Sequence, residues 1–216
     1  MGLTWGSLPQ ELIIEVNELL ERLKAYDEET YSHCVRVSML CRFLAEHDEL
    51  SPYECLVAQF AGLLHDIGKM EVPLSVLNKP AKLNDEEYNV MKDHPLKSAE
   101  LLDPLKESSF FRDVQLAVLH HHERMDGKGY PLGLQGEEIP YISRLILIVD
   151  TVDAMTRTRA YRKGLPIEVV YKELDRCAGT QFDPELVATF IRAHMEFDDV
   201  VGATNVIKLP FLINAA

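Results

Sequence analysis

Apolar residues recur at intervals of three and four through most of this chain of 216 residues. Over residues 9–24, for example, the leucines, isoleucines and valine fall on one face, with carboxylates between them. This spacing is typical of amphipathic α-helices, whereas a half-buried strand would alternate strictly. No repeat or linker divides the chain. The pattern therefore predicts one compact all-α domain of about seven to nine helices.

The same spacing predicts the further helices 28–46, 52–69, 84–94, 95–105, 111–120, 142–155, 166–177 and 183–195. Asn84 with Glu87, and Asp183 before Pro184, have the arrangement of helix N-termini. Segment 142–155 is apolar enough for a buried strand, but its length and the lack of a partner strand favour a helix. Segment 72–83, which contains two prolines, is expected to be a loop.

Composition limits the classes of function. The chain is 47% hydrophobic and 26% charged, has no apolar run of membrane-spanning length and begins without a basic leader, so we expect a cytoplasmic protein. A net charge of −13 argues against a nucleic-acid binder, and a phosphate ligand would need local cations. The four cysteines lack paired metal-ligand spacing and are expected to be reduced thiols.

Histidines and carboxylates interrupt the apolar helices. They are Glu29, His33, His65, Asp66, His94, His121, His122 and Asp150. One such histidine is more often a satisfied core residue than a ligand, but burying this many unpaired polar groups costs about several kcal/mol each, a cost that metal binding removes. Mixed imidazole and carboxylate ligands favour iron, manganese or another borderline metal.

The number of these side chains exceeds what one ion with open positions needs. Two ions are the minimum, and Glu29 with His33, four residues apart on one helix face, could hold a third. Two cations about 4 Å apart can activate a bridging water and stabilise both oxygens in phosphoryl transfer. The set therefore indicates a hydrolytic site.

A basic segment follows the Asp150 helix in this acidic chain. Residues 157–163 contain three arginines and a lysine. Guanidinium groups bind phosphate oxygens in a bidentate way, which favours a phosphate substrate. The alternative interpretation is a solvated helix end, where the helix dipole favours cations.

Two motifs, in this order, identify a family. His65-Asp66-Ile67-Gly68-Lys69 and the stretch from His121-His122-Glu123-Arg124 to Gly129-Tyr130-Pro131 resemble the HD-GYP domain, the cyclic di-GMP phosphodiesterase branch of the HD metal-dependent phosphohydrolases. The resemblance covers roughly residues 28–195. It implies a domain there, preceded by an amphipathic helix in 1–27 that packs or forms a dimer contact, and followed by a tail in 196–216.

The resemblance also implies roles for individual residues. The implied metal ligands are His65, Asp66, His94, His121, His122 and Asp150, with Asp66 bridging, and Glu29 and His33 match an element of members that hold three metals. Lys69 would contact the scissile phosphate. Gly129, Tyr130 and Pro131 would form a rim loop for substrate contact or recruitment of a protein partner. Arg159 and Arg162 would hold substrate phosphates, although the family often has proline at position 160 and lysine at 162.

The implied activity is hydrolysis of cyclic di-GMP by a metal-bound hydroxide, giving linear pGpG, with a second hydrolysis to GMP left open. One alternative is a phosphodiesterase for a mixed cyclic dinucleotide or another nucleotide. A second is a non-catalytic module that binds a dinucleotide or a protein partner. A third is a metal site that only stabilises the fold.

Overall fold

The computed structural model describes the backbone of residues 8–157 and 163–201 and the side chains up to residue 195. Its helices are α1 (Gln10–Tyr26), α2 (Glu28–His47), α3 (Pro52–Leu64), α4 (Leu74–Leu77), α5 (Asp85–Lys92), α6 (His94–Leu101), α7 (Ser109–Leu119), α8 (Tyr141–Thr156), α9 (Ile167–Cys177) and α10 (Pro184–Val201). Because α4 is a single turn, the described chain has nine longer helices and no named strand. The predicted all-α fold is confirmed.

The helix starts that were predicted from capping residues are present. The Asn84 side chain accepts a hydrogen bond from the backbone N–H of Glu87, and the Glu87 carboxylate accepts one from the N–H of Asn84, both at 2.8 Å. Asp183 Oδ1 accepts from the N–H of Glu185 at 2.9 Å, at the start of α10. These side chains satisfy backbone donors that a first helical turn leaves free.

Some helix boundaries differ from the prediction. The short helix α4 lies inside the predicted loop 72–83, because the Pro73 carbonyl accepts from the N–H groups of Val76 and Leu77 and so starts a turn. Helix α3 ends at Leu64, and a 3₁₀ segment, Ile67–Glu71, follows the HD pair. Helix α10 continues past residue 195, because the sequence has no glycine or proline between residues 185 and 201.

Helices α2, α3, α7 and α8 surround the core. All but the first three residues of α3 are buried, including Leu56, Phe60 and Leu64, and each such side chain contributes about 1.5–3 kcal/mol by leaving water. Helix α1 buries the face formed by Val16, Leu19, Leu20 and Leu23. The apolar segment 142–155 forms helix α8, as predicted. Within the described ranges, no helix combines the length and apolar character that crossing a bilayer needs.

The 3₁₀ segment after the HD pair packs tightly against α6. A Cβ atom on Gly68 would lie 2.3 Å from the His94 carbonyl oxygen and 2.4 Å from the Ser98 nitrogen, so only glycine fits there. The buried Ser98 hydroxyl accepts from the Gly68 N–H at 2.8 Å and donates to the His65 carbonyl at 2.6 Å. This contact fixes the position of the HD pair relative to His94.

We predict that Ser98→Ala destabilises the protein by about 1–3 kcal/mol, because the substitution leaves the buried Gly68 N–H and His65 carbonyl without a partner. Urea denaturation with the exposed Ser75→Ala as a control measures the effect. An equal free energy of unfolding in both variants would contradict this role of Ser98.

Candidate metal centre

Three histidines lie at helix ends, each with its ring next to a carbonyl group of a last helical turn. The Nδ1 atoms of His65, His94 and His121 lie 2.9, 2.7 and 2.6 Å from the carbonyl oxygens of Gly62, Met91 and Val118, respectively. A carbonyl oxygen only accepts, so each Nδ1 bears the proton. In the neutral ring, Nε2 then has a free lone pair, which is the form that binds metal.

The structure brings the predicted ligands into two groups. We call His33, His65 and Asp66 the first cluster, and His94, His121 and His122 the second cluster. In each cluster the candidate ligand atoms all lie within 4.8 Å of one another. The geometry within each cluster suits one metal ion.

Asp66 lies between the two clusters and is 1% exposed. Its Oδ2 is 3.5 Å from His33 Nε2 and 3.3 Å from His65 Nε2, whereas its Oδ1 is 3.1 Å from His94 Nε2. Burial would raise the pKa of this carboxyl group, but the neighbouring His65 and Lys69 hold it well below its ordinary value. Asp66 is therefore an anion with one oxygen toward each cluster, which is the arrangement of a bridging ligand.

Several buried atoms in the clusters lack the partners they need. His65 Nε2 and Asp66 Oδ1 have no hydrogen-bond partner in the structure. His94 Nε2 and His121 Nε2 are 3.2 Å apart, yet both rings bear their proton on Nδ1, so two lone pairs face each other. Burial lowers the pKa of His122 to about 3 and that of His121 well below its usual range. A cation satisfies these groups, so the residues fit a pair of divalent metal ions.

Asp150 and Asp153, one helical turn apart on α8, both contact His33. Asp150 Oδ1 is 3.1 Å from His33 Nε2, and Asp153 Oδ2 is 2.8 Å from His33 Nδ1. Arg36 donates to both oxygens of Asp153, at 2.7 and 2.9 Å. Burial would lower the pKa of His33, but its hydrogen bonds to the two carboxylates raise it to about 9. Asp150 thus extends the first cluster, and Asp153 orients the His33 ring.

The sequence interpretation did not assign Asp153 and Arg36 to the site. A signal for Asp153 exists, because it interrupts an apolar helix three residues after Asp150 and so shares its face. Arg36 lies three residues after His33 in α2, and nothing in its spacing distinguishes it from a solvated arginine.

Not every predicted site residue lies in the two clusters. The Glu29 side chain is 71% exposed and belongs to neither cluster. Its Oε1 lies 4.0 Å from Arg36 Nη2. Arg159 and Arg162 lie outside the described residues. The third ion and the phosphate-binding arginines stay predictions.

Lys69 lies beside the bridging carboxylate. Its Nζ is 2.5 Å from Asp66 Oδ2, and its side chain is 22% exposed. Burial would lower the pKa of this lysine, but the negative charges of Asp66 and Asp150 raise it. Lys69 therefore keeps its positive charge next to the clusters, and its side chain is partly exposed.

The Gly-Tyr-Pro loop covers the second cluster. The Tyr130 ring stacks on the His122 ring with centroids 4.8 Å apart and planes 29° apart, and the Tyr130–Pro131 peptide bond is cis. A Cβ atom on Gly129 would lie 2.5 Å from Glu123 Cα and from the His122 carbonyl oxygen, so the loop passes too close for any other residue. The predicted rim loop thus contacts a predicted ligand directly.

Comparison with known proteins agrees with this geometry. A family model described as an HD domain matches residues 11–186. The chain belongs to the HD domain family. A cyclic di-GMP phosphodiesterase of Pseudomonas aeruginosa is 43% identical over 175 residues, which are 81% of this chain and 41% of that protein. A Vibrio cholerae protein named 3'3'-cGAMP-specific phosphodiesterase 2 is 33% identical over 91% of this chain and 39% of its own length.

A solved structure shares the fold. A protein of Bdellovibrio bacteriovorus that is described as an HDG"Y"P protein matches with a TM-score of 0.62 and 21% identity. The match covers 76% of this HD domain chain and 52% of that one. The resemblance to HD-GYP phosphodiesterases is confirmed. The chain spans about half or less of the length of the curated relatives that it matches.

Metal binding at the first cluster is expected to release a proton from His33. Its raised pKa of about 9 means that His33 is cationic at neutral pH without metal, whereas a ligand must be neutral. The apparent affinity for Mn²⁺ at this cluster should therefore rise by about tenfold per pH unit below pH 9. Calorimetric titration at about pH 6.5 and 7.5, in buffers of different ionisation enthalpy, measures both affinity and proton release.

The second cluster provides the comparison. Burial keeps His121 and His122 neutral at these pH values, so an ion bound there should release no proton from these two rings. An affinity independent of pH at both sites would contradict the assignment of His33 as a cation that loses its proton when it binds metal.

Proposed function

We propose that this HD domain protein is a metal-dependent phosphodiesterase that hydrolyses cyclic di-GMP to linear pGpG or GMP. The single observation that supports this most is the pair of ligand clusters with Asp66 between them, next to the partly exposed side chain of Lys69. Two cations so arranged suit phosphoryl transfer, because one can interact with the attacking oxygen and the other with the leaving oxygen. The relative named a cyclic di-GMP phosphodiesterase supports the substrate.

Two divalent ions fit the described residues, and Fe or Mn suits their donors. One would be held by His33, His65, Asp66 and Asp150, and the other by His94, His121, His122 and the second oxygen of Asp66. When bound, the ions supply Lewis-acid activation of water and of the phosphate oxygens. The absence of thiolate among these ligands favours iron or manganese over a structural zinc site.

The chain itself supplies the remaining electrostatic stabilisation. Asp66, with one oxygen toward each cluster, fixes the distance between the two sites. Lys69 stays charged and can donate a hydrogen bond to a phosphate oxygen. A preorganised cation of this kind stabilises the charge that develops in the transition state. Because the whole chain has a net charge of −13, binding of an anionic substrate needs this local positive charge.

The rim of the site is proposed to bind the dinucleotide. Tyr130, with Gly129 and Pro131, lies at the edge of the second cluster and can contact the substrate beside His122. Arg159 and Arg162 are proposed to bind its phosphates, on sequence grounds. A homodimer contact through α1, a protein partner at this loop, a cytoplasmic setting, a third ion at Glu29 and the domain limits at residues 28 and 195 likewise stay proposals.

A mixed cyclic dinucleotide is the second candidate substrate. The Vibrio cholerae relative that is named specific for 3'3'-cGAMP favours it. Both substrates contain the same phosphodiester chemistry, and they differ only in one base. Turnover of each at equal concentration distinguishes them.

The first experiment is product analysis. Protein loaded with iron or manganese without oxygen should convert cyclic di-GMP to pGpG or GMP, and His65→Ala combined with Asp66→Ala should abolish both metal binding and turnover. The exposed His47→Ala is the matched control and should keep both. Metal occupancy with no product from either cyclic dinucleotide would refute the proposal and favour a binding module.

Lys69→Met should lower kcat by about 10²–10³ while both ions stay bound, because it removes a cation that is aimed at the phosphate. Metal content by mass spectrometry and single-turnover kinetics measure the two quantities separately. Lys97→Met, at a lysine whose side chain is 42% exposed, controls for loss of one positive charge. A loss of metal in Lys69→Met, or unchanged kcat, would contradict the assigned role.

A further inference from the structure

A buried carboxylate supports the Gly-Tyr-Pro loop. Glu123 is 1% exposed, and its two oxygens accept hydrogen bonds from three successive backbone N–H groups of the loop. Oε1 accepts from Leu132 at 2.7 Å and from Gly133 at 3.1 Å, and Oε2 accepts from Leu134 at 3.0 Å. The Glu123 side chain, and not another part of the backbone, thus accepts the hydrogen bonds of these three loop N–H groups.

We propose that Glu123 is a positioning residue that sets the place of Tyr130 over His122 and thereby the affinity for the dinucleotide. The proposal rests on the proposed function, in which Tyr130 contacts the substrate. Glu123 follows His122 in the chain, but its carboxylate contacts the loop amides and His120 and not the side chains of either cluster, so it acts through the loop.

The connection from Glu123 to Tyr130 is short. The Tyr130 N–H donates to the His122 carbonyl at 3.2 Å, which attaches the loop on the side that precedes the cis bond. Glu123 attaches it on the other side, beginning two residues after Tyr130. The tyrosine ring is therefore held between two attachments, and its stack on His122 needs both of them.

The loop amides compensate the negative charge of Glu123. Its one ion-pair contact among the described side chains is with His120, whose Nδ1 is 3.9 Å from Oε1. A carboxylate without a close cation needs several N–H donors when it is buried, and three successive amides supply them. A longer distance between loop and carboxylate would leave both unsatisfied, so the charge favours one loop position.

Glutamine at position 123 keeps the shape of the side chain but loses one of the two acceptor oxygens that the loop N–H groups need. Its single carbonyl oxygen can accept from Leu132 and Gly133, but its NH₂ group then faces the N–H of Leu134. Two donors cannot hydrogen-bond to each other, so the Leu134 side of the loop is released. Aspartate keeps the charge but is one methylene shorter. Glu123→Asp is therefore a second variant, which tests whether the length of the side chain, instead of its charge, is needed to contact the loop amides.

The first test needs no activity. In Glu123→Gln, amide hydrogen exchange of Leu134 should become faster by about tenfold or more, while exchange in α7 and the number of bound Mn²⁺ ions stay as in the original protein. Exchange at 132–134 that is unchanged in both Glu123→Gln and Glu123→Asp would overturn the proposal.

The second test is kinetic, with metal-loaded protein and cyclic di-GMP. Glu123→Gln should raise KM by about tenfold and change kcat less than twofold, because it disturbs binding and not the ligands. A residue with only a stabilising role would lower the folded fraction and thus kcat, and leave KM unchanged. That second pattern would overturn the proposal.

A double-mutant cycle with Tyr130→Ala tests the route. If Glu123 acts through Tyr130, then Glu123→Gln should have little further effect on KM once the tyrosine is absent, whereas multiplicative effects would overturn the proposal. Glu138→Gln is the matched control, since Glu138 is exposed and accepts from the nearby Gln135 N–H at 3.0 Å. Should the original protein show no turnover, the proposed function fails, and the exchange experiment alone decides whether Glu123 holds the loop.

Discussion

Three imidazole N–H groups bonded to helix-end carbonyls determine what this HD domain can do. At the ends of α3, α5 and α7, a carbonyl oxygen of the last turn accepts from the Nδ1 of His65, His94 or His121. The same bond gives a carbonyl group of the last helical turn a donor and fixes the ring in the tautomer that leaves Nε2 free. The helix ends and the ligand set are thus parts of one arrangement, and packing of α3, α6 and α7 brings the free nitrogens together.

The arrangement is costly without a cation. A carboxylate that is 1% exposed and several imidazole lone pairs share the protein interior, where unpaired polar groups are destabilising. Lys69 and a protonated His33 compensate part of the negative charge of Asp66 and Asp150. Bound cations would satisfy the remainder, so the groups that are destabilising without a cation are those that favour metal binding.

Much of the fold and of the ligand set could be predicted from the sequence. Helical spacing and the caps at Asn84 and Asp183 are local signals, and the ligands appear as polar interruptions of apolar helices. The partners of Asp153 and Glu123 could not be assigned in this way, because they are 120 residues away in one case and loop amides in the other. Glu29 shares a helix face with His33, but the lone spacing could not show that its side chain is largely exposed.

The hydrogen bonds of His65, His94 and His121 also bear on the order of folding. Each joins residues only three positions apart, so it closes a very short loop and can form as soon as its helix end forms. Contacts between the clusters instead join distant parts of the chain and form late. We therefore expect these three ligand rings to be oriented before the clusters assemble.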